Sequence, residues 1–285
     1  GRANAVQTAA KAAEAALRAG ASLLSIEGGD KHNAIPREAS AVLLVPSEAE
    51  DAVRAVARAQ SEALKAEYGL LETRAALDLR DASGAETPAH CACPLEAESA
   101  QRLLGVLIAL PHGPLKFSHA VEGLVETSSN VAAVAMPAPL DAMEEVATIL
   151  CSTRSDVGSA LADARLKIRV VAETMGKGTV ELPPAYPGWQ PNPKSPVLET
   201  TKRELAEMLA QDGGGEPKVL AIHAGLECGL IGEKCEKVTG PLDMVSFGPT
   251  ITGAHSPDEA VEVATVPKFY ELTKRVLSRL AEKRA

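Results

Sequence analysis

The 285 residues contain no His-Glu-x-x-His motif, no P-loop and no Gly-x-Gly-x-x-Gly fingerprint. The first absence removes the short zinc-protease helix, and the other two remove the usual cradles for nucleotides and dinucleotides. Gly213-Gly214-Gly215 reads only as a flexible loop. No apolar run approaches the roughly 20 residues of a membrane span, since the best, Leu103 to Leu110, stops at Pro111. Positive charge is not in excess. The net charge is −9 with acid and base interspersed, which leaves no electrostatic footprint for nucleic acid or an anionic membrane. The chain opens at Gly1 without a methionine or a secretory signal, so a fragment or a processed product is expected.

Cysteine is sparse and odd in number: Cys91, Cys93, Cys151, Cys228 and Cys235. No disulfide framework follows, and a reducing, cytoplasmic compartment is the expectation. Cys91-Ala92-Cys93 beside His90 resembles a metal clip, but no second ligand pair at suitable spacing follows. A zinc hydrolase usually needs three protein ligands, and spacing alone does not assemble three here.

What is present is ordered α/β patterning over a length that predicts two domains. Residues 3–19 are Ala-rich and helical, with Gly20 as the stop. Leu23 to Ile26 and Ala39 to Val45 read as strands flanking the turn at Pro36. Ser47 and Glu50 have capping-box spacing, and Val53, Val56, Ala57, Gln60 and Leu64 form the inner face of the helix that follows. A helix over 95–110 ends at Pro111-His112-Gly113-Pro114. Strands are expected at Val131 to Met136 and Val146 to Cys151. Ser152-Thr153-Arg154-Ser155 then leads into a helix whose inner face is Val157, Leu161, Ala164, Ile168 and Val171, stopped by Gly176. Two strand-then-helix units, at 39–66 and 146–174, predict an α+β layer with helices on one sheet face.

Composition changes beyond residue 176, where six prolines crowd around Trp189, the only tryptophan. Domains of 1–176 and 177–285 are the expectation. Ser195-Pro196 suits the N-cap and first position of a helix through Leu209. Lys218 to Ile222 and Asp243 to Phe247 read as buried strands opening into Gly-rich polar loops, where α/β enzymes place their chemistry. A last helix runs from Pro267 with Phe269, Leu272, Val276 and Leu280 inward.

Five positions invite a chemical role. His255, in Gly-Ala-His-Ser-Pro-Asp-Glu, suits a metal ligand with nearby carboxylates to fix its tautomer, or a surface turn capped by Asp258. His223 and Glu227 share one turn, which lines a pocket or merely satisfies the end of a strand. Arg154 follows an apolar strand and needs a carboxylate there, either a substrate's or that of Asp156. Asn33 before Ile35-Pro36 is by its surroundings a turn residue.

IHAGLECG, YPGWQPNPKSPV, DMVSFGPTITGAHSPDE, HNAIPREA, VETSSNV and the Arg154 strand together resemble the aminoacyl-histidine dipeptidases. These are also called cytosolic non-specific dipeptidases, and they belong to the co-catalytic zinc peptidase family that includes carnosinase. The motifs lie in family order along nearly the whole chain. The resemblance implies an α/β fold in which an α+β lid and dimerisation domain, residues 1–176 with its first strand missing, is followed by the C-terminal part of a catalytic domain, 177–285. It implies two zinc ions in the complete enzyme, or manganese or cobalt in their place, a dipeptide substrate and a homodimer formed through the lid.

Residue by residue, the resemblance makes His255 a metal ligand and Arg154 the clamp on the substrate carboxylate. Asn33 becomes the lid asparagine near the substrate, and His223 and Glu227 fall in a pocket-lining motif. The family's His-x-Asp motif, bridging aspartate, Glu-Glu pair and further acidic ligand precede the lid, and none has a counterpart here. The first glutamate of that pair is the family's general base, taking a proton from zinc-activated water. The chain is thus expected to come from a dipeptidase and to be inactive alone, with a scaffold protein or one half of a split enzyme as alternatives.

Overall fold

The computed structural model describes residues 2–82, 93–119, 121–136, 146–185, 188–189, 192–220, 227–253 and 259–282. In chain order they form α1 (Ala5–Arg18), β1 (Ser22–Gly28), β2 (Ala39–Leu44), α2 (Glu50–Tyr68), α3 (Ala97–Ala109), β3 (Gly113–Phe117), β4 (Val125–Ala135) and β5 (Thr148–Ser155). There follow α4 (Gly158–Val170), α5 (Pro196–Gln211), α6 (Glu227–Thr239), β6 (Ile251–Thr252), β7 (Ala260–Val261) and α7 (Val266–Glu282). A π turn, Val171–Met175, carries α4 on to Gly176. The chain divides into two compact units, Gly1–Phe117 with Val125–Pro184, and Ser118–Leu124 with Ala185–Ala285. Among the described residues no helix is long and apolar enough to cross a membrane.

The first unit is built on an antiparallel sheet ordered β2-β1-β4-β3, with β5 also paired to β4. β5 lies along β4 from Thr127↔Ser155 to Ala135↔Thr148. Because β5 takes one edge of β4, β3 and β1 share the other, β3 near Val125 to Ser129 and β1 at Gly28↔Val134. Helices cover one face only. Val6, Ala10 and Ala13 of α1 and Leu104 and Leu107 of α3 pack with Leu23, Ile26, Val131, Val134 and Ile168 into the main core. Each fully buried Leu or Ile there contributes about 1.5–3 kcal/mol relative to exposure.

Local chemistry explains the helix ends. Asn4 caps α1 by accepting from the Gln7 amide, and Gly20 leaves the helix at φ 104°. Ser195 caps α5 by accepting from Leu198 N–H, with Pro196 opening the helix. The inner faces read from spacing on α2 and α4 do face inward, with Val53, Leu64, Ala164 and Ile168 buried.

In the second unit α5 and α7 pack together. Leu272 and Val276 of α7 and Thr200, Thr201 and Glu204 of α5 are buried. Arg279 Nε donates to Glu204 Oε1 at 2.9 Å, which supplies the partner a buried carboxylate requires.

Several expectations are corrected. Ser47 and Glu50 form no capping box: Ser47 opens a short 3-10 turn after Pro46, and Glu50 pairs with Arg54. β5 does not stop at Cys151 but runs through Arg154 to Ser155, because all eight residues find ladder partners on β4. β3 emerges directly after the Pro111-His112 break, once Gly113 has turned the chain at φ 86°. Lys218 to Leu220 and Asp243 to Phe247 are not strands. Ala221 and Ile222 lie outside the described residues. Among the described residues no strand runs beside either segment, and an apolar run without a ladder does not become sheet. Glu227 opens helix α6 rather than sitting in a loop.

Candidate functional site

A strand turns alternate side chains to opposite faces, and the β4–β5 pair makes that alternation chemically meaningful. Thr127, Ser129 and Ser155 are buried on the face that carries Val131. There Thr127 Oγ1 meets Ser155 Oγ at 2.9 Å and Ser129 Oγ meets Thr153 Oγ1 at 3.2 Å, so each hydroxyl is satisfied across the strands. Cys151 packs against the same core, and burial pushes its thiol up to about 11. It is a packing residue and not a nucleophile. The opposite face presents Ser128, Asn130, Ser152 and Arg154, all half-buried, with Ser128↔Arg154 and Asn130↔Ser152 directly paired.

The Arg154 guanidinium has no ion-pair or hydrogen-bond partner among the described residues. Its internal candidate, Asp156, forms no ion pair with it and lies near Glu126 instead. Asp156 N–H donates to Glu126 O at 3.2 Å, and its carboxyl is pushed up to about 6, by burial first and then by the Glu126 charge. A guanidinium in contact would pull it the other way. Glu126, itself buried, is tied to Lys116 Nζ at 2.9 Å. This end of the β4–β5 pair therefore holds one carboxylate paired with a lysine, one carboxyl raised above its ordinary range and, among the described residues, one arginine without an anion. A half-buried guanidinium is unfavourable unless a carboxylate or phosphate meets its planar fork.

Asn33 sits exposed in the connection between β1 and β2. That connection is held at several points. Gly29 N–H donates to Glu38 O at 3.3 Å, Ala5 N–H to Pro36 O at 3.2 Å, and Asn130 Nδ2 to Ala34 O at 2.6 Å. Asn130 stands two residues along β4 from Ser128, the partner of Arg154. Such diagonal neighbours are about 7–8 Å apart. The fold thus brings the turn of Asn33 and the strand of Arg154 to one sheet face, 121 positions apart in sequence.

Glu227 belongs to the second unit, exposed in the first turn of α6. A carboxylate there is favourable to the helix dipole whatever else it does. His223 and His255 lie outside the described residues, as do His90 and Cys91 of the clip, while Cys93 is exposed and free. No group of three or more His, Cys, Asp or Glu side chains able to hold a metal comes together among the described residues.

Sequence reasoning missed Asn130, Lys116 and Glu126. The signal was faint: Ser128 and Asn130 alternate with Thr127, Ser129 and Val131, a period-two polar row that hydrophobicity does not mark. Lys116 and Glu126 meet only because β3 pairs with β4.

Residues 2–71 match a family model described as a peptidase dimerisation domain. Over 261 residues the chain is 34% identical to the cytosol non-specific dipeptidase of Escherichia coli (strain K12), covering 92% of this chain and 50% of that protein. The crystal structure of aminoacylhistidine dipeptidase from Vibrio alginolyticus matches with a TM-score of 0.76 and 32% identity, over 98% of this chain and 53% of that one. The aminopeptidase PepT from Bacillus cereus shares the fold at a TM-score of 0.50 and 19% identity, over 66% of this chain and 46% of that one. The chain spans about half the length of the relatives it matches. This mixed α/β chain, whose residues 2–71 match the model of a peptidase dimerisation domain, is similar along almost its whole length to about half of an aminoacylhistidine dipeptidase.

Proposed function

We propose that the chain is the substrate-clamping and dimerising part of a metal-dependent dipeptidase acting on Xaa-His or a broad range of dipeptides. The observation that carries this reading is Arg154, half-buried on the polar sheet face and without an anion among the described residues. A dipeptide ends in a free carboxylate, and a guanidinium fork recognises that group with two parallel hydrogen bonds. Asn33, brought to the same face by its turn, offers an amide able to donate or accept along the substrate backbone. His223 and Glu227 serve as pocket-lining residues by resemblance, and the two units act as lid and catalytic portion. Homodimerisation through the region that includes residues 2–71 and a cytoplasmic location complete the reading.

The resemblance assigns His255 to a metal, zinc or in its place manganese or cobalt, which would supply an activated water when bound. The described residues contain no three-donor cluster, so the residues shown carry binding and orientation and no step through the metal. The chain is expected to bind dipeptide without turning it over, because no residue matches the family's general base. Zinc content and Ala-His hydrolysis should be measured on the full chain alone and mixed with the N-terminal half of the Escherichia coli relative. Turnover restored by that half supports the reading, whereas zinc-dependent turnover by the chain alone overturns the ligand count. A second reading, a non-catalytic dimerisation or scaffold protein, is favoured by the family-model match falling on the dimerisation domain. A stable dimer that the added half neither binds nor activates selects it.

A further inference from the structure

Asn130 makes one polar contact that joins the two halves of the proposed substrate face. Its Nδ2 donates to Ala34 O at 2.6 Å, inside the turn that bears Asn33, and its strand position is diagonal to Arg154. The other end of the amide is closed from solvent, and Oδ1 accepts no hydrogen bond. An enclosed acceptor without a donor is unfavourable, and an apolar side chain of the same volume would avoid it. What the amide provides in return is the bond to Ala34 O. The orientation of the amide follows from that bond, since rotating it would set Oδ1 against the carbonyl oxygen. Oδ1 is enclosed and Nδ2 donates to Ala34 O, so the side chain is turned toward the 33–36 turn and held there.

We infer that Asn130 is a positioning residue: it docks the 33–36 turn on the Arg154 strand and so sets where Asn33 meets a bound dipeptide. This inference rests on the dipeptide reading above. The turn's remaining ties, Gly29 to Glu38 and Ala5 to Pro36, hold its base and its far limb. Among the described residues the Asn130 bond is the side-chain tie to the turn's central carbonyls. Without it the turn keeps its ends but loses its register over the sheet, and Asn33 with it. Binding that uses Arg154 alone does not depend on this bond, whereas binding that also uses Asn33 does.

Two probes of the full chain separate these roles by NMR titration: Ala-His, which spans both residues, and acetate, which needs only the guanidinium. Asn130→Ala and the similarly sized Asn130→Leu should weaken Ala-His binding about tenfold and leave acetate within about twofold. Both should speed tryptic cleavage at Lys31 and Arg37, on either side of the turn, and Asn130→Gln should restore part of the affinity. Arg154→Ala should weaken both probes. If Arg154→Ala acts but the Asn130 variants bind Ala-His as wild type does, or cleave no faster, the positioning role is overturned and the dipeptide reading stands. If a variant loses acetate in step with Ala-His, a general loss of structure accounts for it and the role is again overturned. If wild type binds neither probe, or binds them without Arg154, the dipeptide reading fails and the role with it.

Discussion

Arg154 is placed where an ordinary structural arginine would be paired, and the side chain nearest to it in sequence with the right charge, Asp156, instead faces Glu126. Removing the Arg154 side chain therefore removes no ion pair or hydrogen bond among the described residues. Arg154→Ala should change thermal stability by no more than about 0.5 kcal/mol, a near-null result in a denaturation curve that sharpens the loss of anion binding. Asp156 behaves oppositely. Its folded-state value of about 6 lies above the ordinary 3.8, so the folded chain holds this proton more tightly than the unfolded chain. That contribution to stability is fully present below pH 3.8 and is lost as pH rises through about 6. Asp156→Asn should accordingly raise the melting temperature above that window, leave it unchanged below, and flatten the slope between, as pH-resolved thermal melts would show. Among the site residues, Asn33 and Arg154 came from a recognised motif order and not from spacing. A turn asparagine and a strand-end arginine each have ordinary structural explanations that local sequence does not remove.

Helices were the more legible elements. α1, α3, α5 and α7 form where apolar spacing, a cap residue or a Pro–Gly break had placed them, because each is specified by contacts within a few residues. Ser195, fully buried and bonded to Leu198 N–H at 3.0 Å, is the clearest case. Ser195→Ala should lower stability by about 1 kcal/mol, read from a shift of the urea midpoint. Strands were less legible. The segment Asp243 to Phe247 is apolar yet unpaired, and β4 begins six residues before its apolar run because its first half is polar. Sheet membership depends on a partner distant in sequence, so no local count decides it. The β1–β4 junction shows how tight such a partner is. Gly29 has φ 73°, and a Cβ there would lie 2.1 Å from Ala132 O. Gly29→Ala should destabilise by about 2–4 kcal/mol through backbone strain and displacement of β1, measurable by chemical denaturation.

The buried apolar residues are unevenly shared. Val6, Leu23, Ile26, Leu104, Leu107, Val131 and Val134 all belong to the first unit, while among the described residues the second buries Leu272 and Val276. Leu220, Val238, Val263 and Tyr270 of the second unit are largely exposed. Stability follows buried apolar area, so the second unit should unfold first. Trp189, the only tryptophan, lies in that unit, which makes the order measurable. Its fluorescence should change at lower urea than the far-ultraviolet circular dichroism, whereas coincident curves would mean that the units unfold together.

Residue order alone determined the α/β class, the inner faces of the helices and the likeness to aminoacyl-histidine dipeptidases, since each is written in short-range spacing or in contiguous motifs. Only the tertiary structure decided that Arg154 lies inside a strand without an anion among the described residues, that Asp156 answers to Glu126, and that Asn130 ties the Asn33 turn to the same face. These facts join residues about 30 to 120 positions apart through the register of β4 with its neighbours. Such a register is set by the packing of a whole sheet face and not by any stretch of chain.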